Sequence, residues 1–415
     1  MDYKLIRKIL LDLIKIDKIN YGESKVLTIA HDNDRGFVYN GKYYSQLVDT
    51  IEDDLRKRGF ECVSIARIIS SVKGNISYGN VHSPEGGFAR ALLMKRLKGF
   101  LIRNKYPYSN MEERVWGEIL DETKAEKVVG ILPSRELCTA CHKRGIWVAD
   151  VQHGVIAENH PWYGAQFRAK DTNQFLPNAF LVWDHGSAEV LEKWAKPKGI
   201  TINVIGNRWI SRFKNPKQDD LLVSNTLNSY RQQFNNEENK RSILVGLSSC
   251  SEGMKNGIIS ESLIKVIQNT SKKYKWILRL HPNQLKGFAS HESEIFFKLF
   301  KSSLEGHAEW EVATRSALPA VLLSSDLHIA WHSSVAIEGA QLGVKSALLD
   351  PRFRGAYADD YYDYYKKLGF IDFVEDDVNA ITDWISANIE SKSYGEDYEN
   401  YDQKYNELIS FLTEK

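Results

Sequence analysis

The sequence predicts two doubly wound α/β domains in tandem, each a parallel sheet covered by helices on both faces. Three observations predict it. Short apolar runs of strand length alternate with longer segments of helical spacing, the pattern of consecutive βαβ units. The alternation stops over residues 208–241, where Asn, Gln, Lys, Asp and Arg dominate, and then restarts. The chain has 415 residues, more than one hydrophobic core usually serves.

Residues 4–16 carry Leu5, Ile6, Ile9, Leu10, Leu13 and Ile14 at helical spacing, with Lys4, Arg7, Lys8 and Lys15 between them. This is a basic amphipathic helix, packed on the domain or resting on an anionic membrane surface. Residues 90–105 repeat the pattern, with Leu92, Leu93, Leu97, Phe100 and Leu101 among Arg90, Lys95, Arg96, Lys98, Arg103 and Lys105. Strands are expected at 26–30, 61–66, 127–132, 146–151, 179–183 and 202–205. Helices are expected at 43–58, where Gly59 is the stop, and at 134–144 and 187–195. After the polar stretch, strands are expected at 242–247, 276–280, 327–331 and 346–349. Helices fall at 260–274, 318–324 and 335–342. The domain reading is therefore residues 1–207, a connection at 208–241, a second domain at 242–378, and helices at 379–415 that return to the first domain. Ligands of such sheets bind at the carboxyl ends of the strands, in a cleft between the domains.

Hydrophobic residues make up 43% and charged residues 26%, which excludes general disorder. The net charge of +1 gives no global drive towards nucleic acid. No apolar run is long enough for a bilayer, and Lys15, Asp17 and Lys18 interrupt any signal-peptide core, so a cytoplasmic protein is expected. Cys62, Cys138, Cys141 and Cys250 read as reduced thiols. Cys138-Thr139-Ala140-Cys141-His142 matches a haem-attachment pattern. Haem attachment needs export, and zinc needs a second ligand pair, so buried thiols on a helix are expected. Asp32-Asn33-Asp34 resembles a metal-binding Asp-x-Asp, but the pattern is common by chance. No metal and no cofactor are expected.

The chemistry is sought where buried strands turn abruptly polar. Trp331-His332-Ser333-Ser334 leads into Val335-Ala336-Ile337-Glu338. A strand ending there and a helix starting at about Ser334 offer backbone N–H groups and hydroxyls to a phosphate. Glu338, one turn on, is placed to accept both ribose hydroxyls. A plain serine cap with a solvated glutamate accounts for the same residues. Arg279-Leu280-His281-Pro282 ends another strand, with His281 a phosphate donor or a histidine satisfied by backbone. Ser248 and Ser249 follow the first strand of the second domain, near a phosphate or in a plain turn. In the first domain, Gln152-His153-Gly154 ends a strand. His153 is a base for an acceptor hydroxyl or merely orders a loop. His31, Asp32 and Asp34 form a further candidate, with Asp32 taken as its catalytic member.

These residues carry a resemblance. The chain resembles GT-B-fold glycosyltransferases of bacterial surface-polysaccharide biosynthesis, whose two domains are Rossmann-like. The similar pieces are Gln152-His153-Gly154, Val204-Ile205-Gly206-Asn207, Arg279-Leu280-His281-Pro282, and His332-Ser333-Ser334 through Glu338 to Leu342-Gly343. The His-Pro motif with a serine pair is similar to that of sialyl and Kdo transferases, which use CMP-linked sugars. With the histidine-glycine loop it also resembles the glycerophosphotransferases of teichoic acid synthesis, which use CDP-glycerol. The resemblance implies a nucleotide-sugar donor contacted by His281, Ser333 and Ser334, and a glycan or glycolipid acceptor. The acidic pair before glycine that sialyltransferases use as catalytic acid is missing. A sugar-nucleotide epimerase of the same fold and an inactive nucleotide-sugar-binding subunit are the alternatives.

Overall fold

The computed structural model describes all residues except 1–10, 15–18, 67–69, 71, 80, 104–106, 235–239, 249–253, 255–257, 287–290, 355–359, 391–400 and 415. The chain forms two compact units, residues 1–208 with 401–415 and residues 209–400.

Unit 1 holds β1 (Val26–Ala30), β2 (Phe37–Tyr39), β3 (Lys42–Tyr44), β4 (Val63–Ala66), β5 (Lys127–Gly130), β6 (Trp147–Val151), β7 (Ala179–Val182) and β8 (Thr201–Val204). Its main sheet has six strands in the order β4-β1-β5-β6-β7-β8, all parallel. Side chains of a strand alternate between faces, and both faces here are apolar. Leu27, Ile29, Val128 and Val148 pack on Trp116, Leu120, Leu137 and Cys138. Val26, Ala30, Val129 and Ala149 face Ile51, Leu55, Leu408 and Ile409. The last two belong to the helix Asp402–Thr413, so the chain terminus completes the core of unit 1 beside the helix Val48–Lys57. Each such buried Leu or Ile contributes about 1.5–3 kcal/mol.

The expected helix at 43–58 starts five residues late, at Val48. Tyr43 and Tyr44 are instead in a β2–β3 hairpin, paired with Val38 and Phe37. Its turn is Asn40-Gly41, with φ of 49° and 73°. That is the turn whose twist suits a two-residue hairpin, so local turn chemistry overrides the helical spacing. Cys138 and Cys141 lie buried on the helix Arg135–His142, and burial pushes the Cys138 thiol up to about 12.

Unit 2 holds β9 (Arg241–Gly246), β10 (Tyr274–Arg279), β11 (Ala308–Glu309), β12 (Leu327–Ala330), β13 (Lys345–Leu348) and β14 (Ile371–Phe373). These form a second six-stranded parallel sheet in the order β11-β10-β9-β12-β13-β14. Ile243, Val245, Trp276 and Leu278 pack against Val266 and Ile267 of Glu261–Thr270, and against Ile385 of Val378–Asn388. The polar stretch 208–241 contains two helices, Arg208–Lys214 and Leu221–Gln233. Asp220 caps the second through Val223 and receives a bidentate Arg212, which compensates for its few apolar residues.

In each sheet the first strand sits inside, and the chain builds to one side of it and then to the other. The order reverses between β1 and β5, and again between β9 and β12. Sheets of this kind open a crevice at such a point. Among the described residues no helix is long and apolar enough to cross a membrane.

Candidate functional site

The strand register of unit 2 aligns the polar residues found in the sequence. Arg279 and Ala330 both pair with Gly246, and Ala330 also pairs with Leu348. Two residues further along each strand stand His281, Ser248, His332 and Asp350, one on each of four adjacent strand ends. The pairing persists past the strands, through Leu247 N–H to the Arg279 carbonyl at 2.9 Å and Leu349 N–H to the Ala330 carbonyl at 3.0 Å. The strands that end at His281 and Ser333 are not neighbours, because β9 lies between β10 and β12. Ser248, at the end of β9, bridges them. Its hydroxyl donates to the His332 carbonyl, and its own carbonyl accepts from Gln284 at 3.3 Å. Buried Gln284 also accepts from the His281 N–H at 2.7 Å and donates to Glu292 at 2.8 Å. Ser248 is thus a brace, and Ser249 lies outside the described residues. Pro282 opens the short helix Pro282–Lys286, a position where its missing N–H costs nothing.

The helix after β12 begins at Val335 and runs only to Gln341. Seven residues give a small dipole, and some of its initial donors are used internally. The Val335 N–H donates to the Ser333 hydroxyl at 3.2 Å, and the Ser333 N–H points to the buried Tyr362 phenol. The Ser334 hydroxyl makes no capping bond.

One turn on, half-buried Glu338 accepts no side-chain or backbone hydrogen bond from the described residues. Burial raises its carboxyl to about 7, against the pull of the nearby Arg279 guanidinium. Arg279 donates through Nη1 to the carbonyls of Ala313 and Ser316, the latter at 2.8 Å. Its Nε and Nη2 make no hydrogen bond among the described residues. Burial lowers Arg279 to about 10, and it still carries its charge at neutral pH. Surrounding protein and then Arg279 push the His281 imidazole below the ordinary histidine range.

Sequence reasoning missed a trio at the same edge. Asp350 accepts Nε and Nη2 of Arg352 at 2.9 and 2.7 Å and faces His332 Nδ1 at 3.1 Å. Burial opposes ionisation of Asp350, but His332 and Arg352 outweigh it and hold the carboxyl down at about 2. The signal was present: Asp350-Pro351-Arg352 follows a buried strand just as His281-Pro282 does.

Unit 1 uses its strand ends differently. Gln152 is buried and fully engaged. It accepts from Trp183 N–H at 2.8 Å and donates to the Gly154 carbonyl at 2.8 Å and the Ser187 hydroxyl at 3.1 Å. That clamp presents His153, whose Nδ1 lies 3.0 Å from the hydroxyl of buried Tyr163. His160 packs on the same tyrosine ring, and burial with the neighbouring His153 lowers it to about 4. Asp32 and His153 stand at the same level of the sheet on strands separated by β5. The Asp32 carboxylate is turned to the Ser70 hydroxyl and the Val72 N–H. Asp34 accepts from the His31 N–H at 2.8 Å, and burial, then Asp150 and to a lesser degree Asp34, raise the Tyr163 phenol.

No family model matches the sequence, and no curated protein matches it. Solved structures do match. The UDP-GlcNAc 2-epimerase of Neisseria meningitidis, bound to UDP-GlcNAc, superposes with a TM-score of 0.55 at 15% identity, over 93% of this chain and 98% of that one. The UDP-GlcNAc 2-epimerase of Methanocaldococcus jannaschii gives 0.55 at 13%, over 94% and 98%. The wall teichoic acid polymerase TagF, soaked with CDPG, gives 0.58 at 14%, over 99% and 94%. The chain has the GT-B fold. At these identities the likeness speaks for the architecture, two Rossmann-like units in tandem.

Proposed function

We propose that the chain is a nucleotide-sugar-dependent glycosyltransferase. The observation that carries this reading is Glu338. A half-buried carboxylate without a hydrogen-bond donor, beside a guanidinium with spare donors, is costly unless a ligand completes it. It lies beyond the point where the strand order of unit 2 reverses, next to the Ser333-Ser334 turn. In this reading Glu338 accepts the ribose hydroxyls. The phosphates meet Ser334, Ser333 and His281, while Ser248 and Pro282 hold the loops. Of the solved structures of the same fold, one is bound to UDP-GlcNAc and another was soaked with CDPG, which supports a nucleotide-linked ligand. A CMP-linked sugar is the donor favoured by the sequence resemblance.

Acceptor activation is assigned to unit 1. His153 takes the proton of the acceptor hydroxyl. That oxygen bonds to the anomeric carbon, the carbon–phosphate-oxygen bond breaks, and the nucleotide leaves with the electron pair. Asp32 is a positioning residue, acting through Ser70 on the loop after β1. The acceptor is a glycan or glycolipid of the cell surface, met at the inner face of an anionic membrane.

A second reading, a sugar-nucleotide epimerase, is favoured by the likeness to the 2-epimerase structures. Incubation with a panel of sugar nucleotides separates the two. Transfer predicts nucleotide release only with acceptor, whereas acceptor-free conversion of the sugar rejects transfer. Binding without turnover in every combination marks an inactive binding subunit and rejects both.

A further inference from the structure

Unit 1 contains a cavity of about 700 Å³ beside the helix Glu85–Ile102, and neither His153 nor Asp32 is among its lining residues. That size suits a ligand of several hundred daltons. Phe88, Ala91, Leu92, Leu132 and Pro133 line its interior, and Gly99, Phe100, Arg103 and Trp162 also border it. The helix end beside it is unlike a water-facing surface. Leu97 is 51% exposed, Phe100 84%, Leu101 78% and Ile102 54%. Four large apolar residues within six positions form a patch that soluble surfaces rarely leave bare.

Three of the cations that border the cavity are held by carboxylates. Lys95 is held by Glu112 at 2.9 Å and Glu136 at 2.8 Å, and Arg135 by Asp171 at 2.6 Å. Arg168 is taken by Asp150 at 3.1 Å. Arg103, the exposed left-handed C-cap of the helix, has no carboxylate partner among the described residues. An apolar interior therefore opens beside a cation that lacks an anion.

We propose that this cavity binds a single phosphate-bearing amphiphile, its hydrocarbon tail inside and its phosphate against Arg103. The exposed apolar helix end gives the tail an entry from a lipid surface. This site stands on its own geometry and is independent of the nucleotide reading.

The test is calorimetric titration of the full chain with dibutyryl and dihexanoyl phosphatidic acid below their micellar concentrations, with glycerol 3-phosphate and octyl glucoside as partial ligands. Each buried methylene should tighten binding about fourfold, so dihexanoyl should bind at least tenfold tighter than dibutyryl. Glycerol 3-phosphate should bind too weakly to measure. Gly99→Phe, which fills the cavity, should weaken the dihexanoyl lipid tenfold or more, and Leu92→Trp provides the same obstruction from another position. Arg103→Glu should weaken phosphatidic acid about tenfold and leave octyl glucoside unchanged. Affinity independent of chain length overturns the tail site. So does undiminished binding by whichever obstructed variant retains wild-type thermal unfolding. Glycerol 3-phosphate binding as tightly as the lipid reduces the site to one for free phosphate and equally overturns the proposal.

Discussion

The carboxyl edges of the two sheets each include a point where the strand order reverses beside the first strand, and they differ in what their polar groups do. In unit 1 most are spent on the protein itself. Gln152 satisfies three partners, Asp32 binds Ser70 and Val72, and Asp150 receives Arg168 and the Leu132 N–H. In unit 2 the braces are separate residues, Ser248 and Gln284, and the side chains of Glu338 and Ser334 make no hydrogen bond among the described residues. A reversal of strand order in each sheet therefore does not imply equal binding capacity. What differs is whether the polar residue at a strand end is also the residue that holds the loop.

The sharpest way to break this comparison is at His153, which the Gln152 clamp and Tyr163 position. A general base contributes roughly 100- to 10,000-fold, so His153→Ala should lower turnover by that amount while nucleotide affinity stays unchanged. Asp32→Asn should lower turnover far less, because it acts through Ser70. Steady-state rates of the two variants decide it, and equal losses would make Asp32 a direct participant. Tyr163→Phe should fall between them, with a displaced pH profile, since it removes the group that orients the imidazole.

In unit 2, His281→Ala or the double change Ser333→Ala with Ser334→Ala should weaken nucleotide binding about ten- to a hundredfold. Titration of free nucleotide into each variant measures this. Unchanged affinity in both, with intact thermal unfolding, would move the donor elsewhere.

Glu338 should act through pH. Its ionised form accepts ribose hydroxyls, and with a carboxyl near 7 that form grows as pH rises from 6 to 8. Ribonucleotide affinity should rise over this range in the wild type and lose that rise in Glu338→Gln. The variant should also weaken ribonucleotides more than 2′-deoxy analogues. Stability runs the opposite way. The folded carboxyl binds a proton more tightly than the unfolded one, so folding loses stability as pH climbs from about 4.5 to about 7. Glu338→Gln should therefore raise the melting temperature more at pH 8 than at pH 5.

The smallest effect is expected at Gln152. Gln152→Ala strands the buried Trp183 N–H, at a cost of about 1–3 kcal/mol, which chemical unfolding would register. If stability is unchanged while turnover collapses, Gln152 is engaged with substrate and the contrast between the two edges fails.

The sequence by itself determined the alternation of strands and helices, and with it two parallel sheets. Buried strands are continuous apolar runs whatever surrounds them. It also located the polar strand ends at His153, His281 and Ser333-Ser334, because an abrupt change from apolar to polar is local. The Asn40-Gly41 hairpin and the Asp350-Arg352 pair were equally legible by turn chemistry and by the strand-end rule. Tertiary structure decided the rest. It alone put β9 between the strands of His281 and Ser333, since strand order is set by crossovers and not by chain order. It decided which of the expected returning helices reaches unit 1, since Asp402–Thr413 packs in that core whereas Val378–Asn388 packs in unit 2. It also decided which polar side chains are braces and which are available, because a hydrogen bond such as that from Ser248 to the His332 carbonyl joins loops 84 positions apart, and no local pattern encodes such a partner.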